Sequence, residues 1–108
     1  MASLHVHEIA LQVVTEIAPL MPRIAKQDRT LAQQLRRAAT SIVLNIAEGE
    51  HSDRGTARSR FQSAAGSASE TRSAIRLARA WRYLREEQVE SSLEGLDRIL
   101  AMLWKLTH

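Results

Sequence analysis

The stretch from Gln34 to Gly49 constrains the fold more than any other, because it lays two stripes of opposite character on one helix. At a period of 3.6 residues, Leu31, Leu35, Ala38, Ile42 and Ile46 form an apolar line. Arg37, Ser41, Asn45 and Glu48 form a polar line on a separate face. A helix so marked needs apolar neighbours on one side and hydrogen-bonding partners on another. The rest of the chain is therefore expected to be helical too.

The helix before it is expected to run from about Leu4 to Ala18 or Leu20, with Val6, Ile9, Val13, Ile17 and Leu20 on one face. Pro19 and Pro22 lack amide donors and crowd the preceding turn, so the spacing predicts a kink or stop there and a connection over Arg23 to Arg29. Thr30 with Gln33 has the spacing of a capping box for the second helix, and Asp28 is a competing cap. Gly49 is placed to take the left-handed conformation that closes it. The polar run from Glu50 to Gly55 reads as a loop.

A third helix is expected from there to about Leu84. Ala57, Phe61, Ala64, Ala68, Thr71, Ile75 and Ala78 form one packing seam, and Ser63, Ser67, Glu70, Ala74, Leu77, Trp81 and Leu84 form a second. Glycine within a helix costs about 1 kcal/mol relative to alanine, so Gly66 among small neighbours points to a close approach by the second helix. After a turn near Arg85 to Gln88, Val89, Leu93, Leu96, Leu100 and Leu103 mark a fourth helix, with Trp81 and Trp104 read as bundle residues. At 108 residues, 44% of them hydrophobic, the chain makes one domain spanning 1–108 with a small core that subunit contacts would help to stabilise. The fold class is all-α, an antiparallel up-down four-helix bundle.

Three segments carry a resemblance: Gln34-Leu35-Arg36-Arg37-Ala38 running into Ser41-Ile42, then Asn45-Ile46-Ala47-Glu48-Gly49, then Gly66-Ser67-Ala68-Ser69-Glu70. In order and spacing they resemble the four-helix-bundle family encoded in intervening sequences of bacterial 23S ribosomal RNA genes, which also contains accessory proteins of diversity-generating retroelements. The resemblance covers most of the chain and implies a ring-like homo-oligomer, a pentamer. It also implies nucleic-acid binding for some members and no enzyme activity. Self-association is expected to use the second seam of the third helix.

Little in the chain points to catalysis or metal binding. Glu48 to His51 is the one Glu-x-x-His spacing, and Gly49 lies inside it; the other histidines, His5, His7 and His108, lie near the ends. No metal site, no cofactor and no catalytic residue is assigned, and the chain is read as a non-enzyme. The absence of cysteine, of an export signal and of a long apolar run leads to the expectation of a soluble cytoplasmic protein with no membrane contact. Arg37, Ser41, Asn45 and Glu48, with Glu70 from the third helix, are read as a structural polar network in which Arg37 pairs with Glu48 or Glu70.

The remaining signal is electrostatic. Net charge is +3, and the fifteen basic residues are nearly all arginine. At 100° per residue, Arg54, Arg58, Arg72, Arg76 and Arg79 share one face of the third helix, and no acidic residue interrupts that stripe. With Arg36 and Arg60, these residues form the expected nucleic-acid-binding set, gripping the phosphates of RNA or DNA with little sequence preference. The alternative is a structural scaffold that binds a protein partner, such as a reverse transcriptase, without nucleic acid.

Overall fold

The computed structural model describes the backbone from Ala2 to His108 and the side chains from His5 onward. Its elements are α1 (Ala2–Ile17), a 3-10 turn (Ala18–Leu20), α2 (Met21–Gln27), α3 (Arg29–Glu50), α4 (Arg54–Ala80) and α5 (Glu86–Thr107), with no strand among the described residues. The turn and α2 extend α1, so the bundle has four rods. α1 stops at Ile17, as the prolines predict, and each proline falls in the first turn of the element that follows, where a missing amide costs no helical hydrogen bond, so the rod resumes as α2.

The connection expected over Arg23 to Arg29 is thus helical as far as Gln27, and the joint shrinks to one extended residue, Asp28. Asp28 N–H donates to Ile24 O at 2.7 Å and closes α2, while Asp28 O accepts from Ala32 N at 3.1 Å and opens α3. Its side chain accepts from Leu31 N at 3.0 Å, so Asp28 caps α3 and the Thr30–Gln33 box is not used. Tyr83 O–H donates to the second carboxylate oxygen at 3.4 Å, tying the α4–α5 connection to this joint. Burial, together with the charge of Asp28 and this hydrogen bond, holds the Tyr83 phenol above its ordinary value.

Gly49 does not close α3 in a left-handed conformation, since no described glycine has a positive φ and the helix runs on to Glu50. Its contribution is space. A Cβ there would lie 2.5 Å from Cε1 of Phe61, so the missing side chain admits the aromatic ring. The left-handed residue is Arg82, at φ 66°. Tyr83 N–H donates to Ala78 O at 2.8 Å and Arg82 N–H to Arg79 O at 2.9 Å, the two bonds of a Schellman closure. They end α4 at Ala80, four residues before the expected Leu84. Arg85 N–H donates to Gln88 Oε1 at 2.9 Å, and α5 starts at Glu86 rather than near Val89.

Pairs across the rods show that neighbours are antiparallel, because numbers fall on one helix as they rise on the other. Ser41 meets Ser67 and Glu48 meets Arg60 across α3 and α4; Arg72 meets Asp97 and Arg79 meets Glu86 across α4 and α5. Glu16 meets Ser91 across α1 and α5, and there Gly95 allows a close approach: a Cβ on it would lie 2.7 Å from Val13 Cγ2. The bundle is therefore up-down, 42 Å along its long axis, with Val13, Leu35, Ile42, Ile46, Ile75 and Leu96 among the fully buried side chains.

The first seam of α4 is buried from Phe61 to Ala78, with Ala57 half-buried. The second seam divides: Ala74 and Leu84 are buried, but Ser63, Glu70, Leu77 and Trp81 are exposed. A Cβ added to Gly66 would meet nothing within 4 Å, so this glycine does not mediate the expected approach to α3.

Candidate nucleic-acid interface

Six arginines and one acid, Glu70, lie on α4, and the bundle sorts the arginines by face. Arg54, Arg58, Arg72, Arg76 and Arg79 share one face of α4, as their spacing predicts, and the pairs made by Arg72 and Arg79 turn that face toward α5. Arg54, Arg58 and Arg76 are exposed and have no salt bridge among the described residues. Arg72 Nε bonds Asp97 Oδ1 at 2.8 Å, and Arg79 approaches Glu86 at 3.9 Å. Both acidic partners are well exposed, and pairs of this kind contribute about 0–1 kcal/mol, so phosphate can compete for either arginine.

Arg60 and Arg36 do not join this seam. Arg60 turns toward α3 and bonds Glu48 at 3.0 Å. Arg36 lines a groove of about 660 Å³ on another side of the bundle, between α3 and the rod of α1 and α2. Its apolar lining includes Val14, Ile17, Met21, Pro22 and Ala25. The expected set is thus five residues on one seam and two on other faces.

Two aromatic residues also depart from expectation. Phe61 is buried as its seam requires, but Trp81 and Trp104 are 62% and 61% exposed rather than part of the core. Trp104 stacks on His108, ring centroids 4.5 Å apart and planes 12° off parallel. His108 Nδ1 lies 3.0 Å from Trp104 O and 3.1 Å from Thr107 Oγ1. His108 also lines a cleft of about 480 Å³ with Arg54, Arg58 and Phe61. The omission of Trp104 from the Val89-to-Leu103 seam was the sequence signal for its exposure.

The polar stripe of α3 divides as well. Asn45 Nδ2 donates to both Ser41 O and Ser41 Oγ at 3.0 Å, and Ser67 Oγ donates to Ser41 Oγ at 2.8 Å, which links α3 to α4. Arg37 and Glu70 are exposed and form no salt bridge among the described residues, while Glu48 takes Arg60. Glu48 lies eleven positions after Arg37, about 16 Å along a helix, which is beyond side-chain reach for an ion pair. At the start of α4, Asp53 accepts from Thr56 N at 2.9 Å, and this backbone bond holds its carboxyl below the usual range.

No described helix is long and apolar enough to cross a membrane. No curated protein matches the chain. A crystal structure from Bacteroides thetaiotaomicron, described as a protein with unknown function from the S23 ribosomal protein family, is 24% identical. It superposes with a TM-score of 0.89 over 99% of this chain and 98% of its own, which shows a shared fold. The family model for the 23S rRNA-intervening sequence protein matches residues 2–105, nearly the whole bundle described above. The chain belongs to the 23S rRNA-intervening sequence protein family.

Proposed function

We propose that this protein is a non-catalytic, self-associating accessory protein that binds RNA or DNA through phosphate contacts, with little sequence preference. The observation that carries this reading is the α4 flank facing α5, where Arg54, Arg58 and Arg76 are exposed without acidic partners among the described residues. Arg72 and Arg79 extend the stripe through weak pairs that phosphate can replace. Self-association has separate support on the face shared by α3 and α4. Leu77 is 46% exposed one turn before the exposed Trp81, Leu44 is 57% exposed farther along the bundle at the level of the unobstructed Gly66, and a pentameric ring repeats the basic seam by symmetry.

The resemblance to accessory proteins of diversity-generating retroelements favours work beside a reverse transcriptase. Anisotropy of labelled mixed-sequence RNA and DNA, titrated at low salt, tests the binding. Saturable binding to several unrelated sequences at similar affinity is expected, and no binding by the intact assembly overturns the reading. A second reading, a scaffold for a protein partner alone, draws on the apolar groove beside Arg36. It predicts no nucleic-acid binding and partner capture sensitive to substitutions in that groove.

A further inference from the structure

We infer that the seam between α4 and α5 holds single-stranded nucleic acid in preference to duplex, with an unpaired base stacked on Trp104 and the adjoining phosphates on Arg58 and Arg76. This rests on the nucleic-acid reading above and adds the form of the strand and the residue that selects it.

The inter-helix register places the parts. The Arg72–Asp97 bond and the Arg79–Glu86 pair, carried along the antiparallel helices, bring Trp104 level with the turn of α4 between Phe61 and Ala65. Ala65 shares the angular position of the arginine stripe and is small and half-buried. Arg58 and Arg72 are fourteen positions apart, about 21 Å, with no basic residue of the stripe between them. Trp104 comes up in that gap. The seam therefore reads Arg54, Arg58, Trp104, Arg72, Arg76, with cations on both sides of an exposed indole.

His108 gives the indole a fixed support. It stacks on Trp104 at 4.5 Å with its Nδ1 3.0 Å from Trp104 O and 3.1 Å from Thr107 Oγ1, while it also lines the cleft with Arg54 and Arg58. An indole 61% exposed despite that cover keeps area for another flat ring. Bases within a duplex have both faces stacked on neighbours, whereas an unpaired base can turn out onto an aromatic surface. Duplex can use the arginines but not the indole. The shared chemistry is an unpaired base with flanking phosphates, and RNA and DNA strands supply it alike.

The test uses the full chain with labelled 20-nucleotide single strands of RNA and of DNA and a 20-base-pair DNA duplex. Trp104→Ala is expected to weaken both single strands about tenfold and to change duplex affinity less than twofold, with Trp104→Phe restoring most of the loss. In a Trp81→Phe background, single strands are expected to quench the remaining tryptophan and duplex is not. Equal losses on single strand and duplex, or an unchanged single-strand affinity, overturn the inference and leave phosphate binding standing. A Trp104→Ala protein whose mass by light scattering differs from the parent's makes Trp104 a subunit contact and also overturns it. Failure of the parent protein to bind any of the three overturns both readings.

Discussion

The ring of Phe61 occupies the space that a side chain on Gly49 would need, with Cε1 2.5 Å from the position of a Cβ. Alanine at 49 gains about 1 kcal/mol of helix propensity but meets an aromatic ring held in the core. Overpacking of this kind costs about 1–3 kcal/mol, so Gly49→Ala is expected to lower stability by about 1 kcal/mol in denaturant unfolding. Gly66 gives the opposite result. It is helical with open space around it, and Gly66→Ala should stabilise the chain by up to about 1 kcal/mol.

Arg82 closes α4 at φ 66°, where a side chain is disfavoured by about 1 kcal/mol. Its backbone bond to Arg79 O needs no side chain. Arg82→Gly is therefore expected to raise the melting temperature by a few degrees in calorimetry, whereas a β-branched Arg82→Val should lower it.

The surviving part of the polar stripe can be separated from the rest by substitution. Ser67 donates to Ser41 across the α3–α4 interface, so Ser67→Ala should cost about 1 kcal/mol. Glu70→Ala, at an exposed position, should stay within about 0.5 kcal/mol of the parent. A loss at Glu70 confined to concentrations at which the chain assembles would place it in a subunit contact.

These contrasts show how far the sequence could be read. Regular apolar spacing was sufficient for the core faces, because Leu31 to Ile46 on α3 and Phe61 to Ala78 on α4 each bury one continuous side. Local signals with two physical outcomes were not. Asp28 and Thr30 both suit a cap, and the extended backbone of Asp28 decided between them. Glycine serves for left-handed closure or for close packing; Gly49 took the second, and an arginine took the first at position 82. The arginine stripe was legible as a face of α4, but its partners Asp97 and Glu86 come from α5 at a register fixed only by the packed bundle. Trp104 was unreadable as a platform for the same reason, since its place in the stripe's gap depends on that register.

Acid should act through Asp53. Its folded-state carboxyl lies below the ordinary value of about 3.9 because it accepts from Thr56 N–H, so the unfolded chain takes up the proton first. The capping contribution is complete above about pH 4 and is lost as pH falls through the lower folded-state value. The difference in melting temperature between the parent and Asp53→Ala should hold steady from pH 7 to about pH 5 and narrow below about pH 4.

The salt dependence of binding tests the phosphate-contact account most directly. Each phosphate neutralised should contribute about −0.7 to the slope of log affinity against log salt on a single strand, and about −0.9 on duplex DNA. Arg58→Gln with Arg76→Gln removes two exposed cations, without salt bridges among the described residues, from the α4 seam without touching the core. The account predicts a single-strand slope shallower by about 1.4 for each subunit engaged, with an unchanged melting temperature. An unaltered slope from a folded, fully assembled variant would contradict it.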